Sequence, residues 1–139
     1  MTTVLIVEDY APNYRLLSFV LEQNGYAVVC ARDGVQALEC LQMMPIDVIV
    51  TDLMMPHLDG IGLAERVRAD ARFNHVPIIV VTASSKEHDA VRAVGVGVDV
   101  FLTKPVESED LVRAVAQVVA ARDQARSGPL HRWRHSRVA

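Results

Sequence analysis

Apolar residues fall along this chain in two alternating rhythms. One is a short unbroken run rich in Val and Ile: Thr3-Val4-Leu5-Ile6-Val7, Ala27-Val28-Val29-Cys30-Ala31, Val48-Ile49-Val50, Pro77-Ile78-Ile79-Val80-Val81 and the shorter Asp99-Val100-Phe101-Leu102. Runs of this length and make-up predict buried strands. Between them the apolar positions recur at helical spacing. Pro12 opens a first helix carrying Leu16, Leu17, Val20 and Leu21 on its inner face, stopped by Gly25. Asp33-Gly34 leads into a second, with Ala37, Leu38 and Leu41 inward and Pro45 beyond its end. Asp59-Gly60 opens a third, with Ile61, Ala64 and Val67 aligned. A weaker fourth runs from Glu87 to Val94, broken by Gly95 and Gly97. Ser108 is the expected N-cap of the fifth, with Glu109 and Asp110 favourable in its first turn and Leu111, Val112, Val115, Val118 and Val119 as its stripe. That helix should fade near Arg122 to Ala125. Strict strand-helix alternation predicts an α/β fold: a parallel sheet with helices on both faces. Strands buried on both faces should read as continuous apolar runs, and these do.

Composition narrows the picture. At 139 residues, 51% hydrophobic and 22% charged, the chain reads as one globular domain. No apolar run approaches the roughly 20 residues that a spanning helix needs. Met1-Thr2-Thr3 has no basic region ahead of an apolar run, so no signal peptide is expected and the cytoplasm is the expected compartment. Cys30 and Cys40 fit that compartment as reduced thiols. The net charge of −3 hides an asymmetry: residues before Arg126 carry −7, and Arg126 to Ala139 carry +4. An acidic body does not suit nucleic acid. The expected organisation is a folded domain over residues 1–125 and a flexible basic tail over 126–139.

The chemistry lies at the strand ends. The first strand runs into Glu8 and Asp9, the third into Asp52, the fourth into Thr82 and the fifth into Lys104. Parallel sheets share one carboxyl edge, where ligands bind. Each residue taken singly has an ordinary reading as a turn former, a helix cap or a surface charge; their joint occurrence at four strand ends argues for a site. Crowded carboxylates repel one another. Mg2+ offsets that with a few carboxylates, waters and a phosphoryl oxygen, and Lys104 adds a fixed positive charge. Asp52 is then placed to attack phosphorus and form an aspartyl-phosphate, with Thr82 donating to the new oxygens.

This set, Glu8-Asp9, Asp52 followed by Pro56 and Gly60, Thr82-Ala83, and Lys104-Pro105, resembles the receiver domain of two-component response regulators over about Thr3 to Ala121. The resemblance implies a flavodoxin-like, doubly wound, five-stranded parallel sheet in the order 2-1-3-4-5 with five helices; periodicity alone does not give that order. It implies a phosphorelay switch rather than an enzyme, catalysing only its own phosphorylation and slow dephosphorylation. Asp52 takes a phosphoryl group from a histidine kinase or phosphotransfer protein. Mg2+ is held by Asp9, Asp52 and the Met54 backbone carbonyl, with Glu8 acting through a water. Lys104 pairs with the phosphoryl group, Thr82 moves to bond it, and Phe101 swings inward as the switch aromatic. Partners then read the face made by the fourth helix, fifth strand and fifth helix. The Lys104-Pro105 bond is expected to be cis.

Some positions depart from the family's commoner residues. Glu8 stands where many members have Asp, and Phe101 where Tyr is frequent. Met54, two past the acceptor, is bulky and apolar, and is expected to shield the aspartyl-phosphate from water. The same residue argues against a haloacid-dehalogenase-type phosphohydrolase, which carries a second Asp there as general acid. A flavodoxin-type flavin carrier is disfavoured by Glu8-Asp9, which would repel the flavin phosphate. The tail segment Leu130-His131-Arg132-Trp133-Arg134-His135 suits a frayed terminus or a contact with nucleic acid, acidic lipid or an acidic partner. It is too short to form a folded DNA-binding domain, so a stand-alone receiver or one cut from a longer chain is expected. His131 and His135 lack the further ligands of a metal site.

Overall fold

A computed structural model describes residues 1–83 and 87–126. The expected tail contacts fall outside these residues. Ten elements alternate without exception: β1 (Thr3–Val7), α1 (Ala11–Gln23), β2 (Ala27–Ala31), α2 (Gly34–Met43), β3 (Val48–Thr51), α3 (Gly60–Ala69), β4 (Ile78–Thr82), α4 (Glu87–Gly95), β5 (Val100–Thr103) and α5 (Ser108–Arg126). The five strands form one parallel sheet in the order β2-β1-β3-β4-β5. The parallel α/β sheet is the one the strand-helix alternation predicted, and its order is the flavodoxin-like one that the resemblance implied.

Successive strand residues point to opposite faces, and the core divides accordingly. Leu5, Val7, Ile49, Ile78 and Val80 meet Ala37 and Leu41 of α2, Leu63 and Val67 of α3, and Ala93 of α4. Val4, Ile6, Val48, Val50, Ile79 and Val81 meet Leu21 of α1 and Leu111, Ala114 and Val115 of α5. The inner strands β1, β3 and β4 are therefore apolar except for a threonine at one end of each. The outer strands β2 and β5 are only half-buried along most of their length.

Side chains tie the amino edge of the sheet together. Asp47 Oδ2 accepts from the Thr3 N–H at 2.8 Å, and Arg122 of α5 reaches Asp47 Oδ1 at 2.9 Å. Arg68 of α3 donates to Gly97 O, Asn74 O, Val76 O and Asp99 Oδ2, locking the end of α4 to the start of β4.

Two expectations need correction. Leu16 is 62% exposed rather than on the inner stripe of α1. Tyr14, Leu17, Val20 and Leu21 pack inward instead, and Leu16, one step of about 100° from Leu17, is turned outward. Ser108 is not the N-cap of α5 but its first helical residue. The Glu107 carbonyl accepts from Asp110 and Leu111 at 3.0 and 3.1 Å, so the helix starts one residue earlier than the side-chain preference suggested.

The contrast between faces is measurable by urea denaturation. Leu63→Ala, in a fully buried site, should cost about 2–5 kcal/mol, whereas Leu16→Ala should stay within about 0.5 kcal/mol.

Candidate functional site

Four loops at the carboxyl edge supply the site. β1 and β3 are neighbours, so their ends lie side by side: the Asp52 N–H donates to the Val7 carbonyl at 3.1 Å. β4 and β5 follow, with Thr82 opposite Thr103 and the Lys104 N–H donating to the Thr82 carbonyl at 2.7 Å. The Lys104-Pro105 bond is cis, as the resemblance implied.

Lys104 closes the set. Its ammonium donates to Asp52 Oδ2 at 2.9 Å and to Glu8 Oε1 at 3.3 Å. Burial pulls the Lys104 pKa down, but the hydrogen bond and charge of Asp52, and then Glu8, outweigh it and hold the group above lysine's ordinary value. Glu8 is 4% exposed. Its Oε1 also accepts from Asn13 Nδ2 at 2.8 Å, while Oε2 is buried without a hydrogen-bond partner. Burial pushes the Glu8 carboxyl above the usual carboxylate range; the Asn13 bond and the Lys104 charge oppose this, and the Asp52 charge adds to it.

The other expected residues fall around this triad. Asp9 follows Glu8 with an exposed side chain. Met54 is 70% exposed, and its N–H donates to Asp52 Oδ1 at 3.2 Å. Thr82 is buried at the end of β4. Phe101 is half-buried in β5, beside Val80, and packs on the core shared with α2 to α4. Among the described residues, no three His, Cys, Asp or Glu side chains are already drawn together as a metal cage. Even so, the orphaned Glu8 Oε2 and the oxygen donors around it have the chemistry of a hard-cation site.

Three supporting residues were missed. Asn13 sits on the first turn of α1 and satisfies Glu8; its spacing carries no periodic signal. Gly60 was noted as the start of the third helix and as a motif position, but its close approach to the acceptor's backbone was not. A Cβ there would collide with the Asp52 carbonyl oxygen and lie 3.0 Å from Leu53 Cα, so glycine lets α3 close against the acceptor's backbone. His57 bonds Asp33 at 2.9 Å across 24 positions of sequence.

Residues 4–116 match the family model of the response regulator receiver domain. The chain belongs to that family. The receiver domain is 34% identical over 116 residues to the phosphate regulon transcriptional regulatory protein PhoB of Escherichia coli, covering 84% of this chain and 51% of that protein. It is 36% identical over 116 residues to the hybrid signal transduction histidine kinase D of Dictyostelium discoideum, covering 84% of this chain and 7% of that one. The chain thus spans about half of one relative and a small part of the other. Among solved structures it resembles the chemotaxis protein CheY4 of Vibrio cholerae, with a TM-score of 0.80 and 30% identity over 85% of this chain and 98% of that one. It also resembles the receiver domain of a Pseudomonas aeruginosa sensor histidine kinase solved with magnesium ion coordinated in the active site cleft. There the TM-score is 0.79 and the identity 29%, over 86% of this chain and 98% of that one. Receiver domains are the phosphoacceptor regulators of two-component signalling. No helix among the described residues of this one is long and apolar enough to cross a membrane.

The raised Glu8 pKa has a testable sign. A buried carboxyl with a raised pKa costs the fold its full penalty above the folded pKa. The penalty is relieved as pH falls towards the unfolded value of about 4.3. In the presence of a chelator, Glu8→Gln should therefore raise the melting temperature at pH 7, and the gain should shrink as the solution is acidified. Thermal melts across pH would show this; an equal gain at every pH would contradict it.

Proposed function

We propose that Asp52 is the phosphoacceptor of this receiver domain and takes its phosphoryl group from a histidine kinase or phosphotransfer protein. One observation carries the reading: the ammonium of Lys104 lies 2.9 Å from Asp52 Oδ2 at the carboxyl edge of the sheet. A carboxylate oxygen of Asp52 attacks phosphorus, the bond to the donor breaks, and the donor leaves with its electron pair. The product is an acyl phosphate. Lys104 passes from the carboxylate to the phosphoryl oxygens, and the Thr82 hydroxyl donates to them. Mg2+ would be held by Asp9, Asp52 and the Met54 carbonyl, with Glu8 through a water; when bound, it neutralises charge on the transferring group. The unpartnered Glu8 Oε2 supports this assignment.

Both partners have surfaces to use. Leu16 and Phe19 are 62% and 61% exposed on one side of α1. Leu16 lines a groove together with Asn13, Leu17, Val81, Lys104, Pro105 and Val106. Exposed apolar groups of this kind mark contact sites, and this one suits the phosphodonor because it opens onto Lys104. On α4, Val91 and Val94 are 65% and 69% exposed, which suits a downstream protein reading the α4-β5-α5 face. Phosphorylation shifts an existing equilibrium of that face, with Thr82 and Phe101 as the moving side chains. We assign residues 1–125 to the receiver domain and 126–139 to a basic tail, and place its action in the cytoplasm.

Intact mass after incubation with Mg2+ and acetyl phosphate tests the assignment. One labile phosphoryl adduct is expected on the wild type, and none on Asp52→Asn or in chelator. An adduct that persists on Asp52→Asn would move the acceptor elsewhere, and release of many phosphates per protein would favour a hydrolase. In the same assay Met54→Asn should shorten the adduct's half-life several-fold; an unchanged or longer half-life would reject the shielding role.

A further inference from the structure

The turn after Asp52 is held by a contact outside the acid-hydroxyl-amine set. His57 has φ 68°, in the left-handed region that a residue with a Cβ rarely adopts. The Leu58 N–H donates to the Pro56 carbonyl at 2.8 Å, so His57 is the central residue of a γ-turn of the strained hand. Such conformations persist where the surroundings over-determine them. Here the start of α2 does so twice. The Gly34 N–H donates to the Leu58 carbonyl at 3.2 Å, and His57 Nδ1 lies 2.9 Å from Asp33 Oδ2. The packing is tight enough that a Cβ on Gly34 would come within 2.7 Å of that same carbonyl oxygen.

The contact has a defined proton inventory. Asp33 is the N-cap of α2 and is 8% exposed. The Gln36 N–H, and then His57, hold its carboxyl below the usual range. An ionised carboxylate only accepts hydrogen bonds, so His57 Nδ1 carries the hydrogen of this contact. The His57 side chain is 71% exposed, so the ring exchanges protons freely with solvent. Protonation turns a hydrogen bond into an ion pair, and imidazole ordinarily titrates within reach of neutral pH. Among the described residues, Asp33 is the charged group that His57 contacts. The backbone of Arg32 and the carboxylate of Asp59, on either side of the contact, bond elsewhere. The Arg32 N–H donates to Gln36 Oε1 at 2.9 Å, and Asp59 Oδ1 accepts from the Gly62 N–H at 2.7 Å.

We infer that the His57–Asp33 contact is a pH-responsive clasp on the turn between β3 and α3, which makes His57 a positioning residue for phosphoryl turnover at Asp52. This rests on the reading of Asp52 as phosphoacceptor. The clasped turn begins at Met54, whose N–H bonds Asp52 Oδ1, and passes Met55, whose sulfur accepts from the Thr51 hydroxyl at 3.8 Å. Holding the turn keeps Met54 against the acceptor. Hydrolysis needs a water oxygen to attack phosphorus in line while the Asp52 Oδ–P bond breaks, which returns the carboxylate and releases inorganic phosphate. A tighter turn restricts that approach, so protonated His57 prolongs the adduct.

The test uses the full chain, phosphorylated with acetyl phosphate and Mg2+, freed of donor and followed by intact mass. Wild type, His57→Gln and Asp33→Asn are compared from about pH 5.5 to pH 8; asparagine still caps a helix, so Asp33→Asn removes the charge and keeps the cap. The wild-type half-life should exceed that of His57→Gln by roughly threefold at the acid end, as expected for an exposed ion pair. The ratio should fall as pH rises through the histidine range and stay flat for Asp33→Asn against His57→Gln. A ratio independent of pH, or one that varies equally in Asp33→Asn, overturns the clasp. A loop that mattered only for folding would alter melting temperature without this pH dependence. No adduct on any of the three proteins overturns the acceptor reading and the clasp with it.

Discussion

One ammonium group holds the carboxyl rim of this sheet together. Glu8 and Asp52 leave adjacent strands side by side, and their charges repel. Lys104, from the far strand β5, spans both, at 3.3 and 2.9 Å. Removing Lys104 would leave both carboxylates without their counter-charge, which costs far more than the pairs themselves contribute. Burial holds the Glu8 carboxyl above its usual range despite Asn13 and Lys104, and the Asp52 charge adds to this. The rim is therefore a place where the fold accepts a cost that apolar side chains would avoid. Sites of that kind are where function tends to be found.

The topology explains why that charge comes from β5. With β1 and β3 at the centre and β4 and β5 to one side, a long side chain from β5 reaches across the end of β4 to the acidic pair. The same backbone step places Thr82 between them, its carbonyl bonded by the Lys104 N–H. On the proposed reading, a phosphoryl group on Asp52 changes the partner of Lys104 and so acts on β5, α5 and α4 together. The amino edge is pinned by Arg68 and Arg122.

Much of this was legible in the chain. The bounds of β1 and β2 follow from their apolar runs, which stop at the charged residues Glu8 and Arg32. The residues of the rim were legible for the same reason: each polar group stands where a run stops. What sequence did not show depends on contacts between distant positions. Asn13 satisfies Glu8 from a neighbouring helix, and His57 meets Asp33 through a turn whose positive φ no residue-type preference signals. Leu16 was misplaced because two adjacent leucines fit a helical stripe equally well until packing selects one. Ser108 was misplaced because cap preference is weaker than the backbone bonds that begin α5 a residue earlier.

The central claim is that Lys104 is the counter-charge of an acceptor at Asp52 and is handed to the group placed on it. A crystal structure with Mg2+ and beryllofluoride, which mimics a phosphoryl group on a carboxylate, tests it most directly. The account predicts the mimic on Asp52, its fluorine within hydrogen-bond distance of Lys104 Nζ and Thr82 Oγ1, and the cation against Glu8, Asp9 and Asp52. A bare Asp52 still paired with Lys104, or a mimic bound with Lys104 turned to solvent, would contradict it.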